Sequence, residues 1–194
     1  MPVFAITGSI CSGKSTLLFL FKKMGAIVFD ADKKVHQYYS NKESAVYKKI
    51  KKYFPIVFVN KRIVRKKLSK LVLNDTNKLR LLEKIVHPFI IKDLKKWIKK
   101  VRKENKVAFA EVPLLFEKNL ENYFDGVIVL SIKENLLIKR IQKKYKVSKE
   151  EAIERLKLFL PTEEKLKKAT FIIENNKDIK SLYKEAKNLW EKIY

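Results

Sequence analysis

The chain has 194 residues, of which 46% are hydrophobic, so it can form a packed globular core and is unlike an intrinsically disordered protein. Its apolar stretches are short and interrupted by charge, and we therefore expect no membrane span and no membrane partner. It shows no secretion signal, and its single cysteine, Cys11, excludes an internal disulfide; both features favour a cytoplasmic location.

The net charge of +24 has two interpretations. One is a polyanionic partner, above all nucleic acid. The other is a lysine-rich chain whose charge is spread over solvated helix surfaces, with a basic cleft that favours a highly phosphorylated small substrate. Because the lysines are scattered and accompany no RNA-binding or zinc-finger signature, we expect no nucleic-acid partner. The oligomeric state is not encoded in any recognisable pattern.

Short, continuously apolar runs alternate with longer stretches of helical periodicity, which is typical of strands buried on both faces and covered by helices. The alternation predicts an α/β fold with a five-stranded parallel sheet between two helical layers. The predicted strands are "VFAIT" (3–7), "AIVFD" (26–30), "VAFAEV" (107–112), "GVIVLSI" (126–132) and "TFIIEN" (170–175).

The first strand leads into "TGSICSGKST", which satisfies the pattern G-x-x-x-x-G-K-[ST] of a phosphate-binding loop, or P-loop. Such a loop directs backbone N–H groups at nucleotide phosphates, its lysine reaches the β- and γ-phosphates, and its hydroxyl ligates Mg²⁺. The predicted helix begins near Lys14. The residues predicted to bind the phosphates are Gly8, Ser9, Ile10, Cys11, Ser12, Gly13, Lys14, Ser15 and Thr16, with Ser15 on the metal.

The second strand ends in "FDADKKVHQ", which places Asp30 and Asp32 at the carboxyl edge of the sheet, where the P-loop also opens. Residues 33–104 then show mainly helical patterning and are predicted to form an inserted lobe, with residues 1–32 and 105–194 as the nucleotide-binding core. In that lobe Pro88 is expected in a first helical turn, and "YFPIVFV" (53–59) is left open between extended and helical structure.

A second helical pair is predicted over about 134–160, and its second helix opens with Ser148 and Glu151 in capping-box spacing. The P-loop by itself is shared by GTPases, ATPase motors and small-molecule kinases. The chain is shorter than most motors and lacks an N-K-x-D guanine-reading sequence, so a small kinase is favoured.

Four motifs together, "TGSICSGKST", "DADKKVHQ", "LEKIVHPFI" and "EVPLLFE", resemble those of the dephospho-coenzyme A kinase family, over about residues 3–176. The resemblance implies transfer of the γ-phosphoryl group of ATP to the ribose 3′-hydroxyl of dephospho-coenzyme A, with Mg²⁺ as cofactor. It also implies that the lobe receives the acceptor and that the helical pair forms a lid. The rival enzyme is a kinase for another nucleotide or nucleoside, and the rival from another class is a nucleic-acid-binding protein.

The resemblance assigns roles residue by residue. Asp32 is the candidate that orients or deprotonates the ribose hydroxyl, with a solvated helix cap as the alternative, and Asp30 does the same work or assists Mg²⁺ through water. Arg140 neutralises charge on the transferring phosphoryl group as the lid closes. The remaining assignments are Arg65 and His87 in the acceptor lobe, Pro113, Leu114, Leu115 and Phe116 as an apolar wall for the acceptor, Glu111 near the metal, and Asn175 on the adenine side of ATP.

The sequence departs from the family pattern at several positions. Ser9 and Cys11 stand where glycine is common, so a positive φ at either would be tolerated at some cost. Phe159 and Thr170 replace a usual glutamine and aspartate. A thiol at a helix N-terminus beside Lys14 also raises the hypothesis of a lowered Cys11 pKa, with an inert small residue as the alternative.

Overall fold

The computed structural model describes residues 1–73 and 75–193, and the chain divides into two compact units. The first unit comprises Met1–Asp30 and Trp97–Tyr194, and the second comprises Ala31–Lys96. Both boundaries between the units lie a few residues before those predicted from the sequence, which were residues 32/33 and 104/105. Within the first unit, the Trp97 and Phe29 ring centroids are 5.4 Å apart.

A five-stranded sheet forms the centre of the first unit, and its neighbouring strands all pair in parallel. In chain order, its strands are β1 (Val3–Gly8), β2 (Ile27–Asp30), β5 (Ala108–Glu111), β6 (Gly126–Ser131) and β7 (Phe171–Glu174). Across the sheet, the strands lie in the order β2-β5-β1-β6-β7. These match the five apolar runs, because a strand buried on both faces needs apolar side chains throughout.

Helices cover both faces of this sheet. On one face α1 (Lys14–Lys23) and α9 (Ile179–Ile193) pack on the strands, and the Phe21 ring stacks on Phe109 with centroids 4.0 Å apart. Side chains alternate along a strand, so Ala110 and Phe109 of β5 point to opposite faces of the sheet. Phe29 of β2 is aligned with Ala110 and shares its face. The Trp97 ring, which packs against Phe29, therefore lies on the face opposite α1 and α9.

The predicted lid is a helical pair, α6 (Glu134–Tyr145) and α7 (Lys149–Lys157). A small apolar cluster centred on Leu137, Ile141 and Ala152 joins the two helices. The predicted capping box is confirmed: the Glu151 N–H donates to Ser148 Oγ at 3.2 Å, and the Ser148 N–H donates to the Glu151 carboxylate at 3.0 Å. The short helix α8 (Thr162–Leu166) follows before β7.

The second unit contains α2 (Ala31–Ser40), α3 (Ala45–Tyr53), α4 (Arg65–Leu73) and most of α5 (Thr76–Val101) around an apolar cluster of its own. The segment left open over 53–59 is a 3₁₀ turn, Pro55–Val57, followed by β3 (Phe58–Val59), which pairs antiparallel with β4 (Arg62–Ile63). Asn60 and Lys61 close this hairpin with positive φ values of 47° and 58°.

The expectation that Pro88 begins a helix is wrong, because Pro88 lies inside α5. A proline in a helix interior leaves the carbonyl four residues earlier, here that of Lys84, without its helical donor. Both residues are exposed, so water can supply the missing hydrogen bond, while apolar residues before and after Pro88 are buried or half-buried.

The predicted fold class is confirmed, since the first unit is a parallel five-stranded α/β structure. Among residues 1–73 and 75–193, none of the helices combines the length and the apolar character needed to cross a bilayer.

Candidate active site

The P-loop connects the end of β1 to the start of α1, and glycine is required at both of its ends. At Gly8 φ is 143°, and an added Cβ would lie 2.7 Å from the Leu130 carbonyl oxygen. At Gly13, the N-cap of α1, φ is 104°, and an added Cβ would lie 2.3 Å from Asn175 Nδ2. Neither the dihedral angles nor these close approaches tolerate an ordinary side chain.

Lys14 begins α1 and folds back over the loop. Its side chain is 8% exposed, and its ammonium donates to the Ser9 carbonyl at 2.8 Å and to the Gly8 carbonyl at 3.2 Å. The positive charge of Lys14 therefore lies against the P-loop, whose backbone is predicted from the sequence to surround a phosphate. Thr16 is half-buried in the first turn of α1.

The middle of the loop carries the departures from the family pattern. Cys11 has a φ of 61°, so the positive φ considered for this position is real, and a residue with a Cβ adopts it. Ile10 and Cys11 pack against the apolar cluster of α6 and α7, which gives their side chains burial that glycine would not have. Ser9 is buried, and its hydroxyl lies 2.7 Å from the Thr162 hydroxyl.

The hypothesis of a lowered Cys11 pKa is wrong in direction. Burial raises the pKa of this thiol, and the positive charges of Lys144, Lys14 and Arg140 oppose that effect without overcoming it. A protonated thiol is a poor nucleophile, so the inert small residue is the better interpretation.

The predicted metal ligand Ser15 lies beside an acidic residue. Its hydroxyl donates to Glu111 Oε1 at 3.0 Å, and Glu111 is 2% exposed at the end of β5. Asp30 is aligned with Glu111 at the end of the adjacent strand β2. The carboxyl edge of the sheet thus brings a hydroxyl and a carboxylate together at the start of α1, with Asp30 aligned beside that carboxylate on the adjacent strand.

Two consecutive hydrogen bonds connect Arg140 to Asn175 and Asn175 to the P-loop. The Arg140 guanidinium donates to the Asn175 carbonyl at 3.0 Å, and the Asn175 amide donates to the Ser12 carbonyl at 2.7 Å. Asn175 is 7% exposed, and its amide is occupied by the loop backbone. Direct binding of ATP by Asn175 stays a prediction.

The predicted apolar wall divides into two parts. Pro113 and Leu114 are half-buried, whereas Leu115 and Phe116 are buried with 0% and 4% exposure. Pro113 and Leu114 are thus the more accessible part of this wall, and contact of the four residues with an acceptor stays a prediction.

Asp32, Arg65 and His87 all belong to the second unit. Asp32 is exposed in the first turn of α2, and Arg65 is exposed at the start of α4, where its guanidinium contacts His36 Nε2. Burial, with a smaller contribution from the Asp32 charge, raises the pKa of Tyr39 to about 12. His87 is half-buried inside α5 and is not at a helix start.

Sequence reasoning did not single out His36, Tyr39 or Thr162. His36 is four residues after Asp32 on α2, so helical spacing was a usable signal that both share a helix face. The Thr162 contact with Ser9 spans 153 residues and left no local pattern.

Comparison with known proteins identifies the family. The sequence profile of dephospho-CoA kinases matches residues 2–181. A dephospho-CoA kinase of Aquifex aeolicus is 36% identical, with 100% of this chain and 98% of the relative aligned, and one of Bartonella quintana is 35% identical with the same coverage. A solved dephospho-CoA kinase from Campylobacter jejuni superimposes with a TM-score of 0.68 at 32% identity, covering 99% of this chain and 97% of that one.

More distant structures share the architecture alone. A shikimate kinase from Bacteroides thetaiotaomicron has a TM-score of 0.55 at 12% identity, covering 99% of this chain and 98% of that one. The P-loop geometry, the sheet order and the full-length matches agree, and the chain belongs to the dephospho-CoA kinase family.

Proposed function

We propose that the protein transfers the γ-phosphoryl group of ATP to the ribose 3′-hydroxyl of dephospho-coenzyme A, giving coenzyme A and ADP. The observation that carries the proposal is the assembled phosphate loop in a chain of this family: Lys14 lies on the loop carbonyls, and Ser15 contacts Glu111 at the carboxyl edge of the sheet. Phosphoryl transfer depends mainly on positioning and charge stabilisation, which such a loop supplies.

Mg²⁺ fits the residues at the start of α1. The Ser15 hydroxyl and the Glu111 carboxylate are hard oxygen donors 3.0 Å apart, and Mg²⁺ is commonly held by one or two protein oxygens together with phosphates and water. We assign Ser15 as a ligand and Glu111 as its partner, either direct or through water. When bound, the ion supplies neutralisation of phosphate charge.

The other assignments concern proton and charge handling. Asp32, exposed at the first turn of α2, orients or accepts the proton of the ribose hydroxyl, with Asp30 as the alternative base. Lys14 and Arg140 neutralise the transferring group. Arg65 and His87 serve acceptor binding in the second unit, and the high positive charge of the chain favours a multiply phosphorylated acceptor. We place this activity in the cytoplasm, the compartment favoured by a chain with one cysteine.

An acceptor panel tests the proposal. The purified protein is incubated with Mg-ATP and, separately, dephospho-coenzyme A, AMP, CMP and adenosine, and each product is identified by mass spectrometry and by loss of its phosphate to a 3′-nucleotidase. We expect turnover of dephospho-coenzyme A to a product identical with coenzyme A. Strong turnover of AMP, CMP or adenosine, with none of dephospho-coenzyme A, would overturn the assignment of the acceptor.

A further inference from the structure

The segment 160–168, which contains α8, connects the P-loop to the loop that follows β5. On the P-loop side, the Thr162 hydroxyl lies 2.7 Å from the Ser9 hydroxyl. On the other side, the Leu160 N–H donates to Glu117 Oε1 at 3.2 Å, and the Lys168 ammonium lies 5.5 Å from the centre of the Phe116 ring. All of these residues lie in the first unit.

A buried ion pair fixes the second of these connections. The Lys165 ammonium lies 2.9 Å from Glu117 Oε1, and the two side chains are 1% and 20% exposed. By hydrogen-bond geometry, and among the residues that the structure describes, neither the Lys165 ammonium nor Glu117 Oε2 has a hydrogen-bond partner. A buried ammonium and a largely buried carboxylate therefore have few partners to compensate for their lost hydration.

An arrangement of this kind is a weak source of stability. Replacing a buried ion pair by apolar residues of similar size is often neutral or stabilising, whereas in some proteins the buried polar group serves to fix the arrangement of the segments that carry it. Lys165 is on a helix of five residues, and Glu117 directly follows Phe116. The pair therefore fixes α8 against the loop that contains Pro113 and Leu114.

We propose that Lys165 and Glu117 are positioning residues that hold the loop Pro113–Glu117 in register with the P-loop through α8 and the Thr162–Ser9 contact. This rests on the proposed function and on the prediction that Pro113 and Leu114 contact the acceptor. Because in-line transfer is sensitive to displacements of about 1 Å, which change rates by roughly 10²-fold, a loosened loop slows the reaction of the bound acceptor.

Three variants test the pair. Lys165→Met/Glu117→Leu replaces both charges with apolar side chains of similar length, Glu117→Asp keeps the charge but shortens its reach by one methylene, and Lys167→Met is the control. Lys167 belongs to a 2.6 Å ion pair with Glu164, but its side chain is 70% exposed, so its removal leaves the loop after β5 untouched.

We expect the double variant to unfold at a urea concentration close to that of the parent and to bind ATP within threefold of it. Its kcat/KM for dephospho-coenzyme A should fall at least tenfold, mainly in kcat, and Glu117→Asp should show a smaller fall in the same direction. Lys167→Met should match the parent. A folded double variant, or a folded Glu117→Asp, with acceptor kcat/KM within threefold of the parent would overturn the proposal.

Amide hydrogen exchange gives a readout that does not depend on turnover. The amides of residues 114–117 should exchange at least tenfold faster in the double variant than in the parent and Lys167→Met. Unchanged exchange there would overturn the positioning role even if no acceptor is turned over. Absence of turnover in the folded parent would instead contradict the proposed function, so the two failures are distinguishable.

Discussion

Replacement of Gly13 by alanine should destabilise the fold through both backbone strain and a clash with Asn175. An alanine there has to adopt a φ of 104° and places its Cβ 2.3 Å from Asn175 Nδ2. Gly25 offers a matched control, because its φ is 102° and an added Cβ meets nothing within 4 Å. Gly25→Ala therefore introduces only the backbone strain, whereas Gly13→Ala introduces the strain and a clash.

The structure sets the expected magnitudes. Strain from a side chain at positive φ is about 1–2 kcal/mol, which is the whole loss of unfolding free energy expected for Gly25→Ala. At Gly13 the clash also displaces the Asn175 amide from the Ser12 carbonyl, and a buried acceptor left unsatisfied costs about 1–3 kcal/mol. Gly13→Ala should therefore lose about 2–5 kcal/mol, and Asn175→Ala alone about 1–3 kcal/mol.

The double variant Gly13→Ala/Asn175→Ala separates the two contributions. The Asn175 hydrogen bond is lost only once, so the double variant should also lose about 2–5 kcal/mol of unfolding free energy, and not the roughly 3–8 kcal/mol that a simple sum of the single losses gives. In the Asn175→Ala background, Gly13→Ala should cost no more than Gly25→Ala does in the parent. Urea unfolding of the four variants and the parent measures these values. Additive losses would refute the claim that the Asn175 amide occupies the space beside Gly13.

Three further predictions concern the site. Glu111→Gln should raise the Mg²⁺ concentration for half-maximal activity by about 10–100-fold, as measured by metal titration, and an unchanged requirement would contradict the placement of Mg²⁺ beside Ser15. Arg140→Ala should lower kcat by about 10²–10³-fold while Lys139→Ala, an exposed neighbour, changes it little; equal effects would refute a specific role for Arg140. Because burial raises the pKa of Cys11, its alkylation by iodoacetamide at pH 8 should be slower than that of free cysteine and should accelerate as the pH rises, and alkylation faster than free cysteine would contradict this.

Local patterns predicted much of the fold. The five apolar runs correspond to the five strands, and the P-loop leads into α1, which begins at Lys14. Both features were predictable because continuous apolarity and the glycine–lysine–serine order are encoded within a few adjacent residues. The capping box at Ser148 was predictable for the same reason, since both of its hydrogen bonds join residues three apart.

Contacts between distant segments were not predictable. Asn175 and Ser12 are 163 residues apart, and nothing in either local sequence indicates that the Asn175 amide donates to the loop backbone. The same holds for Lys165 and Glu117, whose pairing depends on where α8 packs. Pro88 shows a different limit. Helix rules place a proline at a helix boundary, whereas the apolar residues on both sides of Pro88 are buried or half-buried and α5 continues through it.

ADP release by the purified protein with Mg-ATP and dephospho-coenzyme A, measured beside Lys14→Ala and Asp32→Ala, tests the proposed reaction. We predict turnover in the parent and a loss of roughly 10²–10⁴-fold in both variants, with the folded state and, for Asp32→Ala, ATP binding retained. Loss in Lys14→Ala alone would move the base assignment from Asp32 to Asp30 or to no base. A folded parent that binds ATP and releases no ADP with this acceptor would contradict the account.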